Sequence, residues 1–423
     1  LDRHNNNGST GADITQTVTG IFNELCDYTT NTLAKQLWLA ADHNIAAHQA
    51  KPPNLHLYDG IAGLASFFAA YYSVTKDPEA QRLALLLTAS VRKEIEMISR
   101  GKSQGNGTTS IGGMVGLGSL LYSFIRLADW LKAPELFDSA LATVAAITPE
   151  LILADQRLNV VEGCAGALLA LLAFAQEART RGLDAKKASD LAQLCGQHLL
   201  ARRIASISGQ RAWLTTHSIA VSGFAFGVSG ISYALVRLFQ HTGREEFREA
   251  ALEGFAFERA LCMPEQKRRN DPSWNGVLVG EGWCCGVAGF VLSRVGSVEF
   301  IDVPAIHHDI EGALSDLRST QGSSSDQLCC GTFGKIDTLC TAATILERIS
   351  LAEYALHLTK QVLARSITVG FRLEQPAKCH MATDQFQFTP SLFMGLSGIG
   401  YVLLRLLYPG LFPSMLLLES PSH

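Results

Sequence analysis

The chain has 423 residues, 47% of them apolar and only 17% charged, with a formal net charge of −4. Those values exclude a disordered or acidic-tail protein, and with no basic surplus to meet phosphates no nucleic-acid partner is expected. A membrane span takes roughly 18 or more uninterrupted apolar residues; the longest run here, Cys164 to Ala175, is bounded by Glu162 and Gln176, so no span is expected.

Residues 1–15, LDRHNNNGSTGADIT, read as a linker, and residues 16–423 as one domain. The start lacks a basic segment followed by an apolar run, so no secretory signal is expected and the location is read as cytoplasmic. From Asp59 onward a Gly-x-x-Gly pair followed by an apolar run recurs seven times. The pairs begin at Gly60, Gly113, Gly163, Gly227, Gly286, Gly331 and Gly395, spaced by 53, 50, 64, 59, 45 and 64 residues. The runs after the glycines, such as LASFFAAYY, ALLALLAFA, ISYALVRLF and IGYVLLRLL, are apolar nearly all round and predict buried helices. The segments between them, such as AQRLALLLTASVRKEIEMI, KKASDLAQLCGQHLLARRI and EEFREAALEGFAFERAL, carry apolar residues at three- and four-residue spacing and predict half-exposed helices. Repeats of this kind bury their faces by stacking. An open solenoid would have polar end repeats. Here the first and last are as apolar as the middle ones, which favours closure into an all-α α/α toroid of seven inner and seven outer helices.

Glycine at each inner helix start allows a tight turn and close backbone approach. The residue before it therefore lies at one common end of the ring: Asp59, Gly112, Glu162, Phe226, Cys285, Cys330 and Met394. Two of these positions complete vicinal cysteine pairs, in Trp283-Cys284-Cys285-Gly286 and Leu328-Cys329-Cys330-Gly331. Clustered thiolates are soft ligands that suit zinc. Two pairs at one repeat phase favour a metal site over accidental buried cysteines or strained vicinal disulfides. Four thiolates would close a structural site, whereas three would leave the open position of a catalytic one.

WCCG and LCCG within seven Gly-x-x-Gly repeats, together with LYDGIAGLASFF at the first repeat and FMGLSGIGYVLLRL at the last, resemble the LanC-like cyclases. The nearer likeness is to the C-terminal cyclase domain of class II lanthipeptide synthetases. The resemblance spans about Leu57 to Leu407 and implies one zinc ion held by Cys284, Cys329 and Cys330. Cys330 stands where His is usual, as in a subgroup with an all-cysteine site. The implied reaction adds a Cys thiol of a dehydrated precursor peptide to a dehydroalanine or dehydrobutyrine of the same peptide, forming a thioether ring. It also implies a covalently linked N-terminal dehydratase domain. Zinc with three thiolates carries −1, against 0 with two thiolates and neutral His, so the bound substrate thiolate stays more nucleophilic and a fast and permissive cyclase is expected.

The sequence departs from the family at two positions assigned to proton handling. Phe226 stands where His is usual and Asn159 where Asp is usual, and neither side chain transfers a proton. Two readings follow: a variant that relies on zinc and water, or a catalytically impaired zinc-bearing domain that binds peptide without turnover. His217, nine residues before Phe226, is a weak candidate for compensation. Asp59, Glu162, Trp283 and Cys285 are expected to border the peptide, and Asp326 to orient a ligand from behind. His307 and His308 read as surface residues. A toroid glycosidase ranks last: only Asp59 and Glu162 offer the paired acids it needs, and it leaves the cysteines unexplained.

Overall fold

The computed structural model describes residues 7–34, 54–100, 110–205, 209–215, 220–261, 280–319, 323–373 and 389–419. Fifteen α-helices account for nearly all the regular structure among them, beside a π turn (Thr29–Leu33) and a two-residue antiparallel pair, Ile204–Ala205 with Arg211–Ala212. Seven helices form an inner ring: α2 (Ile61–Thr75), α4 (Leu117–Trp130), α7 (Cys164–Thr180), α9 (Val228–Thr242), α11 (Val287–Val298), α13 (Thr332–Ile345) and α15 (Leu396–Leu407). Each packs on the next, and α15 packs on α2, so the ring is closed. The outer helices are α1 (Asn7–Tyr28), α3 (Pro78–Ser99), α5 (Glu135–Ala146), α8 (Lys186–Ala201), α10 (Glu245–Leu261), α12 (Pro304–Ser319) and α14 (Ile349–Val369). A short helix, α6 (Pro149–Ala154), lies between α5 and α7 in the chain.

Each inner helix from α2 to α13 packs on the outer helix that follows it in the chain, while α15 packs on α1. The expected linker over residues 1–15 is therefore corrected from Asn7 on. Thr10 and Ile14 are buried in α1, and Phe22 stacks on Tyr71 of α2 at 4.2 Å. Polar composition hid this helix. Its buried stripe of Ile14, Val18, Ile21, Phe22 and Leu25 has helical spacing but is interspersed with Thr, Asn and Gly.

The inner helices are buried on nearly every side, as their composition demands. The outer ones bury one stripe; α3, for example, is capped by Asp77, which accepts hydrogen bonds from Glu79 and Ala80 N–H, with Pro78 at its first position. All seven inner helices begin directly after a glycine. In the second repeat that glycine is Gly116, with φ +116°, rather than Gly113. Val115, not Gly112, consequently precedes the capping glycine there, and Ser119 occupies the place of the second glycine. Elsewhere the second glycine of the pair is required by close approach: a Cβ on Gly166 would collide with the Val160 carbonyl oxygen and the Gly113 nitrogen.

After α15 the chain turns back into the ring. Met415, Leu416, Leu417 and Leu418 are buried, and the segment reaches several inner helices at once. Tyr401 Oη donates to the Pro413 carbonyl, Ser414 Oγ donates to Asp337 at 2.6 Å, and Tyr122 Oη donates to the Glu419 carbonyl. This segment fills the axis below the mouth. Because α1 completes the seventh pair, Leu25→Ala should cost roughly 2–5 kcal/mol of stability, read as a lowered denaturation midpoint; an unchanged midpoint would mean that α1 is not part of the folded unit.

Candidate metal centre

Seven loops meet at the mouth, where the inner helices start, and one backbone hydrogen-bond belt joins them. The residue two before each capping glycine takes part. Tyr58 N donates to Met114 O, Met114 N to Val161 O, Val161 N to Ala225 O and Ala225 N to Cys284 O. Trp283 N donates to Cys329 O, Cys329 N to Phe393 O and Phe393 N to Tyr58 O, which closes the circle. Cys284 and Cys329 thus occupy the same belt position in adjacent repeats, and Cys330 follows Cys329 toward the opening.

This places three thiols together. Cys284 Sγ lies 3.1 Å from Cys330 Sγ, and Cys330 Sγ lies 3.3 Å from Cys329 Sγ. All three sulfurs fall within 4.8 Å of one another, the only group of metal-ligating side chains so placed among the described residues. Cys329 is fully buried, Cys284 nearly so, and Cys330 partly open. Sulfurs bound at about 2.3 Å to one tetrahedral zinc ion lie a little under 4 Å apart, so the cluster fits that ion with small side-chain shifts. The donor set is soft and matches zinc rather than calcium or magnesium.

Behind the thiols runs an arc of stacked rings. Tyr58 stacks on Phe393 (4.9 Å), Phe393 meets Trp283 (5.2 Å), and Trp283 meets Phe224 (5.7 Å). Trp283 Nε1 donates to the Leu416 carbonyl of the returning C-terminal segment. Tyr58 reaches from the first repeat to the sixth, its Oη 3.1 Å from Cys329 Sγ and 3.2 Å from Met394 Sδ. Burial, then the charge of the neighbouring thiols, pushes the Tyr58 phenol well above its ordinary pKa.

A buried ionic cluster holds the fourth loop against this site. Glu258 of α10 accepts from Ser222 Oγ and Ser229 Oγ at 2.7 Å each and from Gly223 N at 3.3 Å. Its other oxygen pairs with Arg294 of α11 at 2.5 Å, and both side chains are wholly inaccessible. Gly223, at φ +109°, packs on the Cys284 carbonyl so closely that any Cβ would collide with it.

A family model for lanthionine synthetase C-like protein matches residues 51–417. The chain belongs to the lanthionine synthetase C-like family. Among solved structures it is similar to nisin cyclase, with a TM-score of 0.62 and 13% identity, covering 92% of this chain and 94% of that one. That likeness shows the α/α toroid fold. An unsaturated glucuronyl hydrolase specific for heparin is more distant, with a TM-score of 0.40 and 12% identity, over 72% of this chain and 85% of that one. No curated protein matches the sequence.

Within this LanC-like ring the other expected site residues take varied places. Cys285 is half-buried beside Cys284 at the position before the cap. Asp59 is exposed at the mouth, its Oδ1 accepting from Asn54. Glu162 is paired with Arg157 at 2.7 Å. Trp283 was expected to border peptide, but it is fully buried beneath the belt and belongs to the aromatic arc. Asp326 was expected to orient a ligand. Its carboxylate is instead taken up by Arg365, by Arg372 at 3.0 Å and by Arg372 N–H at 2.8 Å, so it anchors the loop that carries Cys329 and Cys330. Asn159 is buried; its Oδ1 accepts from Glu162 N at 2.9 Å, while its Nδ2 meets no hydrogen-bond partner. Phe226 is 7% exposed in an apolar setting. His217 lies outside the described residues. His307 and His308 are exposed on α12, as expected.

Tyr58, Gly223 and the Glu258–Arg294 pair were not signalled by the sequence. Tyr58 held the belt position equivalent to Cys284 and Cys329, so the repeat alignment, read one residue earlier, would have found it. Glu258→Ala leaves Arg294 buried without its nearest partner and should cost about 3–5 kcal/mol, visible as a large fall in melting temperature; a shift of a degree or less would show the pair to be dispensable.

Proposed function

We propose that the chain is a zinc-dependent lanthionine-forming cyclase. Its substrate would be a dehydrated precursor peptide, whose Cys thiol adds to dehydroalanine or dehydrobutyrine in the same peptide. The observation that carries this reading is the cluster of Cys284, Cys329 and Cys330 at the mouth of a ring belonging to the lanthionine synthetase C-like family. Those three residues would hold the ion, leaving one tetrahedral position for the peptide. Zinc bound there supplies a charge that favours the thiolate form of a peptide thiol at neutral pH.

The chain's own residues account for the rest. Cys330 is the least buried of the three, so a peptide would reach the cluster on its side. The aromatic arc and the C-terminal segment pack behind the thiols, so in this reading water and substrate both arrive from the mouth. Addition forms the S–Cβ bond, moves the alkene electron pair toward the carbonyl, and ends with a proton delivered to Cα. Phe226 and Asn159 cannot deliver that proton. In this reading the proton comes from solvent at the mouth, which would hold turnover below the fast rate expected from the ligand charge alone. Among the described residues no helix is long and apolar enough to cross a membrane. A cytoplasmic location and a covalently linked N-terminal dehydratase domain belong to the same proposal.

Phe226 and Asn159 also motivate a second reading, a zinc-bearing domain that holds peptide without turning it over. One experiment separates the two. Zinc stoichiometry is measured on reduced protein, which is then incubated with a dehydrated Cys-containing peptide while free thiol is titrated. The cyclase reading predicts about one zinc per chain and progressive thiol loss. Zinc without thiol loss favours the binding domain, and absence of zinc sinks both. If the two substitutions limit the rate, Phe226→His with Asn159→Asp should raise thiol consumption by roughly 10²-fold or more, the usual gain from a placed general acid; an unchanged rate would show that proton delivery is not limiting.

A further inference from the structure

We infer that Tyr58 is a positioning residue for the metal centre, its phenol O–H orienting the Cys329 sulfur by a hydrogen bond that reaches past the seventh loop. The inference rests on the zinc reading above and assigns a function to a side chain that the reading does not use.

Three observations support it. First, Tyr58 has no freedom to serve elsewhere. Its backbone is held on both sides by the belt, through Tyr58 N to Met114 O at 3.1 Å and Phe393 N to Tyr58 O at 3.0 Å. Its ring is buried and stacked at 14° on Phe393. Second, a buried hydroxyl is costly unless it is hydrogen-bonded, and phenylalanine would fill the same space without that cost. The partners within reach of Oη are two sulfurs, Cys329 Sγ at 3.1 Å and Met394 Sδ at 3.2 Å. Third, one O–H carries one proton. An anionic sulfur attracts it more strongly than a thioether, so Cys329, when it acts as a ligand, takes the bond and Met394 completes the apolar wall.

Such a bond fixes the Cys329 χ1 rotamer toward the other two thiols. It also draws electron density from one member of an all-sulfur ligand set, offsetting part of the excess negative charge. Groups that orient metal ligands in this way typically alter metal affinity by 10–100-fold when removed.

The test uses the whole chain and two variants, Tyr58→Phe and Met394→Leu, loaded with cobalt(II) and separately with zinc. Wild type should bind cobalt with an intense thiolate charge-transfer band. Tyr58→Phe should fold with an unchanged circular dichroism spectrum, show that band at longer wavelength because its sulfur is more electron-rich, and bind zinc roughly tenfold or more weakly in competition with a chelator. Met394→Leu should leave band and affinity at the wild-type values. If wild type takes up no metal, the zinc reading fails and the inference falls with it. If wild type loads but Tyr58→Phe matches it in band and affinity, the inference alone is overturned. It is overturned equally if Met394→Leu shifts the band and Tyr58→Phe does not, because the hydroxyl then serves Met394.

Discussion

At the mouth of the toroid, each of seven loops is bonded through its backbone to the next, and the seventh is bonded to the first. This belt is possible only because the loops approach within backbone distance of the inner helices, which in six of the repeats forbids a side chain at the second glycine. Gly166 illustrates the constraint: it sits between the carbonyl of its own loop and the backbone of the preceding repeat. The second repeat meets the same geometry differently, shifting its cap to Gly116 and admitting Ser119. Closure also explains the pairing of α1 with α15. A ring of seven inner helices leaves its last member without a following outer helix, and the N-terminal helix fills that place.

The belt converts sequence periodicity into chemistry. Residues far apart in the chain but at the same repeat phase are brought to neighbouring points on one circle. Cys284 and Cys329 are adjacent because their repeats are adjacent, and Tyr58 meets Cys329 because its side chain reaches past the Phe393 loop that lies between them. Support comes from outside the circle. Glu258 and Arg294 fix the fourth loop, Asp326 with two arginines fixes the sixth, and the returning C-terminal segment props Trp283 from below. The thiols at the mouth therefore stand on a base tied by hydrogen bonds and ion pairs, as a preorganised ligand set would require.

Much of this was legible in the sequence. The seven glycine pairs with apolar runs gave the ring, and the two vicinal cysteine pairs at one phase gave the cluster, because both signals are local and repeat. What was not legible depends on distance across the fold. Trp283 read as a residue bordering the peptide; the structure buries it against Leu416, a residue more than a hundred positions away. Asp326 read as a partner of the cysteines because it is near them in sequence, yet its charge is matched by Arg365 and Arg372 from the following segment. The α1 helix was hidden by its threonines and asparagines, and only its mate α15 reveals why it folds.

Three cysteines of two adjacent loops are proposed to form one zinc site. X-ray absorption at the zinc edge, on the reduced full chain without peptide, addresses it most directly. A zinc ion held by these cysteines should show a first coordination shell dominated by sulfur, with three such ligands at about 2.3 Å and one lighter atom. A shell made mainly of nitrogen and oxygen, or a protein that retains no zinc, would contradict it.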